Sequence, residues 1–359
     1  MKKLLLVVVA LVVIAAAAAG GGAFLWWRDL STVGATARDP SDTALRDVVI
    51  AKGMGPQAIA RVLASAGIVD DADRFVRYVR FVAKKSGALK AGEYRLSPSM
   101  TGDALIAELS TGRVAEQRFT VREGLRKEEI ARIIADAGFG SVDEILREMN
   151  EPARIKAFGV PTTGAGGQDG VPGGIEGYLF PDTYQFPKGT KPGAILDRMR
   201  ARLDEVVDQK LQARMKEMGW NLHKTLTLAA IVEKETGQPF ERPHIASVFH
   251  NRLKLKMKMQ TDPTVIYGIK GYDGNIRKSD LLTPHPYNTY TIPGLPPGPI
   301  ASPGKEAITA ALFPDDKPDL YFVSRNDGTH IFCPTLECHN AAVQQWQVEF
   351  FKKKRAQKN

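Results

Sequence analysis

Cysteine is nearly absent from this 359-residue chain; there are two, Cys333 and Cys338. Two cannot staple a disulfide-built scaffold. In an oxidising compartment they could close a small loop, which their spacing permits without demanding. Histidine is also scarce, six in all and scattered. A site built on His330 and His339 would lack the tight ligand pairs of a zinc centre, so no metal and no cofactor is expected. The net charge is +9, yet no basic stripe interleaves with aromatics as a nucleic-acid face would require. Part of the excess sits in the terminal runs Lys2-Lys3 and Lys352-Lys353-Lys354-Arg355, which read as solvated tails. No cysteine stands near the end of the N-terminal apolar run, which excludes lipid anchoring through a modified cysteine.

That run is the first positive feature. After Lys2 and Lys3 no charge occurs from Leu4 to Trp27, and Trp26-Trp27 before Arg28 resemble an interfacial aromatic belt. A membrane-spanning helix is expected, with the N-terminus in the cytoplasm by the positive-inside rule and all that follows Arg28 outside. A cleaved signal peptide is the alternative, with Ala15 to Ala19 supplying small residues, and it too exports the body. The length allows one to three domains with at least one sizeable core.

Asp29 to about Arg46 is polar and mixed and reads as a linker. An internal repeat follows. Val48-Val49-Ile50, Gly53 and Ile59 to Gly67 recur, 71 residues on, as Phe119-Thr120-Val121, Gly124 and Ile130 to Gly138. Each copy predicts a strand, a glycine turn and an amphipathic helix stopped by glycine. The repeat is either a recurring packing unit or a binding element in both copies. The first copy continues into a helix around Arg74 to Val82, a turn and strand from Leu89 to Leu96, and a helix capped at Ser99-Met100-Thr101 that ends at Gly112. The order strand, helix, helix, strand resembles LysM, a module that binds N-acetylglucosamine-containing glycans.

Residues 161–174 read as a loop rich in Gly, Thr and Pro. A long helix is expected from about Pro192 to Met218, and a new one begins with Thr225 as its cap. The segment Leu226 to Thr236 carries the chemistry. Leu228, Ile231 and Val232 share a helical face, and Glu235 is its next position. A carboxyl group that continues an apolar face is desolvated, which raises its pKa toward the range a general acid needs. Glu233 lies on another face with Leu226, Ala229 and Ala230, where it could support its neighbour. The plain alternative makes both acids surface charges near a helix end. Downstream, Glu241 to Leu255 reads as a helix with Ala246, Phe249, His250 and Leu253 inward and Asn251-Arg252 polar. Met259 to Gly268 suits a sugar subsite. Tyr287 and Tyr290 could stack on sugar faces and Asn288 could bond an acetamido group, although all could be ordinary turn and core residues. The run Ile292 to Gly304 holds five prolines and three glycines, a preorganised loop of the kind that lines clefts. Ala341 to Lys354 reads as a final helix with a basic end.

Glu176 to Tyr184, Ile231 to Thr236, Ala246 to Leu253, Gln260 to Gly268, Tyr287 to Tyr290 and Gly294 to Ile300 together resemble the endolytic murein transglycosylase (MltG or YceG-like) family over nearly the whole chain. The resemblance implies a lytic transglycosylase that cleaves the β-1,4 bond between N-acetylmuramic acid and N-acetylglucosamine inside glycan strands and leaves a 1,6-anhydro end. One glutamate does the proton work, unlike the two-carboxylate plan of most glycosidases. Lytic transglycosylases carry that glutamate before a serine; Glu235-Thr236 is similar, so Glu235 is assigned as acid and base with Glu233 as the fallback. Gln260, Thr261, Asp262, Tyr287, Asn288 and Thr289 are assigned to substrate binding.

The expected fold is an N-terminal transmembrane helix followed by an α+β periplasmic body, made of a small LysM-like domain and a mixed α/β catalytic domain. Its expected limits are 1–28 for the cytoplasmic tip and anchor, 29–46 for the linker, 47–116 for the LysM-like domain, 117–350 for the catalytic domain and 351–359 for a basic tail. The resemblance places the protein in the cytoplasmic (inner) membrane with peptidoglycan strands as substrate and membrane-bound peptidoglycan synthases as partners. A hydrolytic muramidase using Asp262, or a non-catalytic wall-binding scaffold, are the competing functions.

Overall fold

The computed structural model describes residues 2–112, 116–161, 174–350 and 352. Most of the loop read at 161–174 and all but Lys352 of the basic tail lie outside the described residues. The chain divides into two compact units, Met1–Glu116 and Gln117–Asn359.

The first unit opens with α1 (Lys2–Ala35), a single helix of 34 residues. From Leu11 to Ala35 it is long and apolar enough to cross a membrane. The stretch read as a linker from Asp29 is helical as far as Ala35. Its composition hides a packing face: Leu30 is fully buried, and a side chain added at Gly34 would collide with the Tyr78 hydroxyl. Asp29 also pairs with Arg74 at 2.9 Å. Then come β1 (Arg46–Ile50), α2 (Pro56–Ser65), α3 (Ala72–Arg77) with a π-helical turn over Tyr78–Val82, β2 (Gly92–Leu96) and α4 (Gly102–Thr111). β1 and β2 pair antiparallel, from Arg46 opposite Leu96 to Ile50 opposite Gly92. Alternation sends Val48, Ile50, Tyr94 and Leu96 inward against Ile59 and Leu63 of α2 and Leu105 and Leu109 of α4. Thr101 caps α4 through Ala104 N–H, and Gly112 closes it in the left-handed region.

The second unit begins near β3 (Glu116–Thr120), which pairs with β4 (Thr183–Pro187). Between them lie α5 (Lys127–Asp136), α6 (Val142–Met149) and α7 (Pro152–Ala157). The repeat is visible in both units: each strand leads through a glycine at positive φ, Gly53 at 89° and Gly124 at 74°, into its helix. In the second copy Ile130, Ala131 and Ile134 point into the unit's core. The helix expected from 192 to 218 is two, α8 (Pro192–Val206) and α9 (Gln209–Glu217). The break has a cause: Asp208 leaves the helix and caps α9, accepting from Leu211 N at 3.0 Å.

The centre of this unit is α10 (Leu222–Glu235), packed against α11 (Arg242–Lys254), α12 (Asp262–Gly268) and α14 (Lys305–Leu312); α13 (Lys278–Leu282) is a short surface helix. Ala229 and Ala230 allow the alanines of α14, Ala307, Ala310 and Ala311, to approach closely. An antiparallel hairpin of β5 (Tyr321–Ser324) and β6 (His330–Cys333) leads to α15 (Leu336–Val343), which continues π-helically over Gln344–Glu349. A Cys333–Cys338 disulfide joins the end of β6 to α15.

Candidate active site

α10 starts one turn before Thr225. Asn221 is the cap, accepting from Lys224 N at 2.8 Å, whereas the expected cap Thr225 lies inside the first turn and donates back to Asn221 O. Every residue from Thr225 to Val232 is buried. The helix therefore has no solvent face over this span, and burial by itself does not separate Glu233 from Glu235.

Their partners separate them. Glu233 Oε1 accepts from Arg242 Nη2 at 2.8 Å and Oε2 from Gly304 N at 3.0 Å. Both side chains of the Glu233–Arg242 pair are more than nine-tenths buried. Glu233 thus ties α10 to α11 and to the start of α14, and its oxygens are already used.

Glu235 is the last residue of α10 and keeps a partial opening to a groove of about 460 Å³. Gln260, Asp262, Tyr290, Tyr321 and His339 share its walls. The Thr261 hydroxyl donates to Glu235 Oε1. Burial pushes the Glu235 carboxyl up to about 7 and the nearby Asp262 pushes the same way; the Thr261 hydrogen bond and Arg252 pull it down. Its place at a helix C-terminus, where backbone carbonyls point outward, also disfavours the anion.

The wall beside Glu235 is held by Arg252. Its Nη1 donates to Met259 O at 2.8 Å, its Nε to Leu320 O at 2.6 Å, and its guanidinium lies 5.1 Å from the Tyr321 ring centre. The sequence reading grouped Arg252 with Asn251 as polar, but its side chain is buried because these carbonyls satisfy it. Gln260 follows with φ of 51°, uncommon for a residue with a side chain. Its N–H donates to Thr289 O at 3.2 Å. Asp262 opens α12 and accepts from the Tyr290 hydroxyl at 2.7 Å.

Of the six residues assigned to substrate binding, Gln260 and Asp262 line the groove, and Thr261 reaches it only through Glu235. Tyr287, Asn288 and Thr289 are buried behind it. The Asn288 amide, expected to meet an acetamido group, donates to the carbonyls of Asp280, Leu281 and Thr283. Thr289 Oγ1 accepts from Thr261 N at 3.1 Å and shares a hydrogen bond with Thr264. Tyr287 packs on Tyr267 at 4.8 Å between ring centres. These three brace the loop that presents Tyr290.

The sequence profile of the YceG-like family matches residues 48–345. The chain belongs to the YceG-like family. It is 34% identical over 306 residues to an endolytic murein transglycosylase of Bacillus subtilis, covering 84% of each chain. It is 29% identical over 326 residues to an endolytic murein transglycosylase of Streptococcus pneumoniae strain D39, covering 83% of this chain and 58% of that one. The crystal structure of a YceG-like protein from Listeria monocytogenes is similar with a TM-score of 0.58 at 33% identity, covering 83% of this chain and 98% of that one.

Other features of this YceG-like site escaped the sequence reading. Thr236 Oγ1 donates to Glu241 Oε2, and Glu241 accepts from both the backbone N–H and the ring of His330. The end of α10 is thereby tied to β6. Tyr321, Leu336, His339 and Asn340, all more than eighty positions beyond Glu235, form the far wall. The one signal for that wall was the cysteine pair flanking Leu336. Glu176, at the head of the first motif, lies away from the groove: it accepts from Lys127 N and Tyr267 Oη, each at 3.2 Å, and burial pushes it up to about 7.

Proposed function

We propose that this chain is an endolytic lytic transglycosylase of peptidoglycan and that Glu235 is its acid and base. The observation that carries the assignment is that Glu235 alone of the two helix acids opens on the groove, with its carboxyl pushed up to about 7. Protonated, Glu235 gives its proton to the glycosidic oxygen between N-acetylmuramic acid and N-acetylglucosamine, and the C1–O bond breaks. The resulting carboxylate takes the proton of the muramyl C6 hydroxyl as that oxygen attacks C1, which closes the 1,6-anhydro ring and regenerates the acid. No water is consumed. Thr261 orients the carboxyl group, and Gln260, Asp262 and Tyr290 contact the sugar chain. Tyr287, Asn288 and Thr289 act from behind, by shaping that wall.

α1 serves as the anchor, with Lys2 and Lys3 on the cytoplasmic side and the body on the periplasmic side. The antiparallel β1–β2 pair with two helices between its strands supports a LysM-like glycan-binding role for 47–116, with 117–350 as the catalytic domain. Membrane-bound peptidoglycan synthases are the expected neighbours.

Asp262 on the same groove supports a second reading, hydrolysis with Asp262 handling water. Mass analysis of glycan products separates the two. Anhydro ends that vanish in Glu235→Gln support the lyase; reducing ends from the wild type sink it. Loss of activity in Glu233→Gln with retention in Glu235→Gln would reverse the assignment.

A further inference from the structure

Between Asp73 and Glu93 the chain carries Arg74, Arg77, Arg80, Lys84, Lys85 and Lys90 and no acid. Arg77, Arg80, Lys84 and Lys85 are exposed, and none is held in an ion pair among the described residues. The acids that flank the run in sequence are Asp70, Asp71 and Asp73 before it, with Asp73 one helical turn from Arg77, and Glu93 after it.

Phe81 stands among these cations. The π-helical turn keeps Tyr78 and Val79 in the core yet leaves Phe81 48% exposed. Its ring meets Trp26 of α1 edge-on at 5.7 Å between centres, and Trp26 and Trp27 are themselves about half exposed. Three aromatics and four unpaired cations thus share one side of the unit, at the end of the apolar stretch of α1. In water this patch would leave large apolar rings unburied. At a bilayer surface each part has a partner: the rings sit at headgroup depth and the cations meet lipid phosphates.

We propose that the α3–π-turn face, Phe81 flanked by Arg77, Arg80, Lys84 and Lys85, lies on the anionic headgroups of the membrane beside the exit of α1. This rests on the reading of α1 as a membrane span. Trp26 ties the two surfaces together: a residue at the interface that touches Phe81 brings Phe81 to the same depth.

The test uses the full chain in lipid nanodiscs, made of phosphatidylcholine alone or mixed with phosphatidylglycerol, with amide hydrogen exchange read by mass spectrometry. Exchange over residues 77–86 is expected to slow at least about threefold in the anionic discs, an effect that weakens as salt is raised. The quadruple variant Arg77→Glu/Arg80→Glu/Lys84→Glu/Lys85→Glu is expected to lose that difference while β1 and β2 exchange as in the wild type. Equal exchange in both lipids, in a chain that is incorporated into the discs, overturns the docking face alone. A wild-type chain that fails to enter the discs overturns the anchor reading, and the docking face with it. Protection that needs added glycan strands and is indifferent to lipid charge overturns the proposal in favour of a glycan surface. The wild-type comparison between lipids decides even where the quadruple variant does not fold.

Discussion

Thr261 donates its hydroxyl hydrogen to Oε1 of Glu235, while its own backbone N–H is held by Thr289 Oγ1. The acid is therefore aimed by a residue that is itself fixed from behind. The bond favours the charged carboxylate, so Thr261→Val should raise the Glu235 pKa further and move the alkaline limb of the pH–rate profile to higher pH. Asp262→Asn should move the same limb to lower pH, because it removes a neighbour that pushes Glu235 up. Opposite displacements in the two variants are the expected result; displacement in one direction by both would count against Glu235 as the titrating group.

Glu235→Gln should lower kcat by roughly 10²–10⁴-fold, the usual worth of a positioned general acid. It should also stabilise the fold at alkaline pH. The folded pKa of about 7 lies above the ordinary 4.5, so the native state holds the proton more tightly than the unfolded chain does. Wild-type stability then declines as pH rises from about 4.5 to about 7 and levels off above that. The glutamine variant escapes this loss. Thermal denaturation should show it more stable by up to roughly 3 kcal/mol at pH 8, with the gap closing near pH 4.

Glu233→Ala should act on stability. It leaves the buried Arg242 with only the longer contacts to Glu306 at 3.7 Å and Glu123 at 3.9 Å. Removing one partner of a buried pair costs about 3–5 kcal/mol. Urea unfolding is the measurement, and Glu233→Gln, which can still accept from Arg242, should recover part of the loss. A Glu233→Ala protein as stable as the wild type would contradict the bracing role.

Reduction of the Cys333–Cys338 disulfide, or Cys338→Ser, should loosen the groove wall carrying Leu336, His339 and Asn340. The closed loop is short, so the entropic share of stability is only about 2 kcal/mol. Because Glu235 and Thr261 are untouched, the larger effect should appear in KM for long glycan strands, with kcat nearly unchanged.

Local signals carried much of the fold. The glycines at 53 and 124 and the spacing of Ile59, Val62 and Leu63 or Ile130, Ile133 and Ile134 announce strand–turn–helix units because those constraints act within a dozen residues. Glu235 could be read as desolvated for the same reason. That Glu233 is equally enclosed could not be read, since its enclosure comes from Arg242, nine residues on, and Gly304, seventy-one on. Asn288 looked like a ligand group because its partners, three carbonyls of the preceding turn, leave no mark in side-chain chemistry. The helical nature of Asp29 to Ala35 was hidden likewise: its Thr, Ser and Gly suggest a coil, and only the fit of Gly34 against Tyr78 shows why it stays wound.

That winding has a mechanical meaning. Because α1 runs without a hinge into its seat on the first unit, a turn of the helix about its own axis is a turn of the whole β1–β2 module. The module cannot swivel on a slack tether, so on the proposed reading of α1 as the anchor its azimuth sets the compass direction in which that module faces.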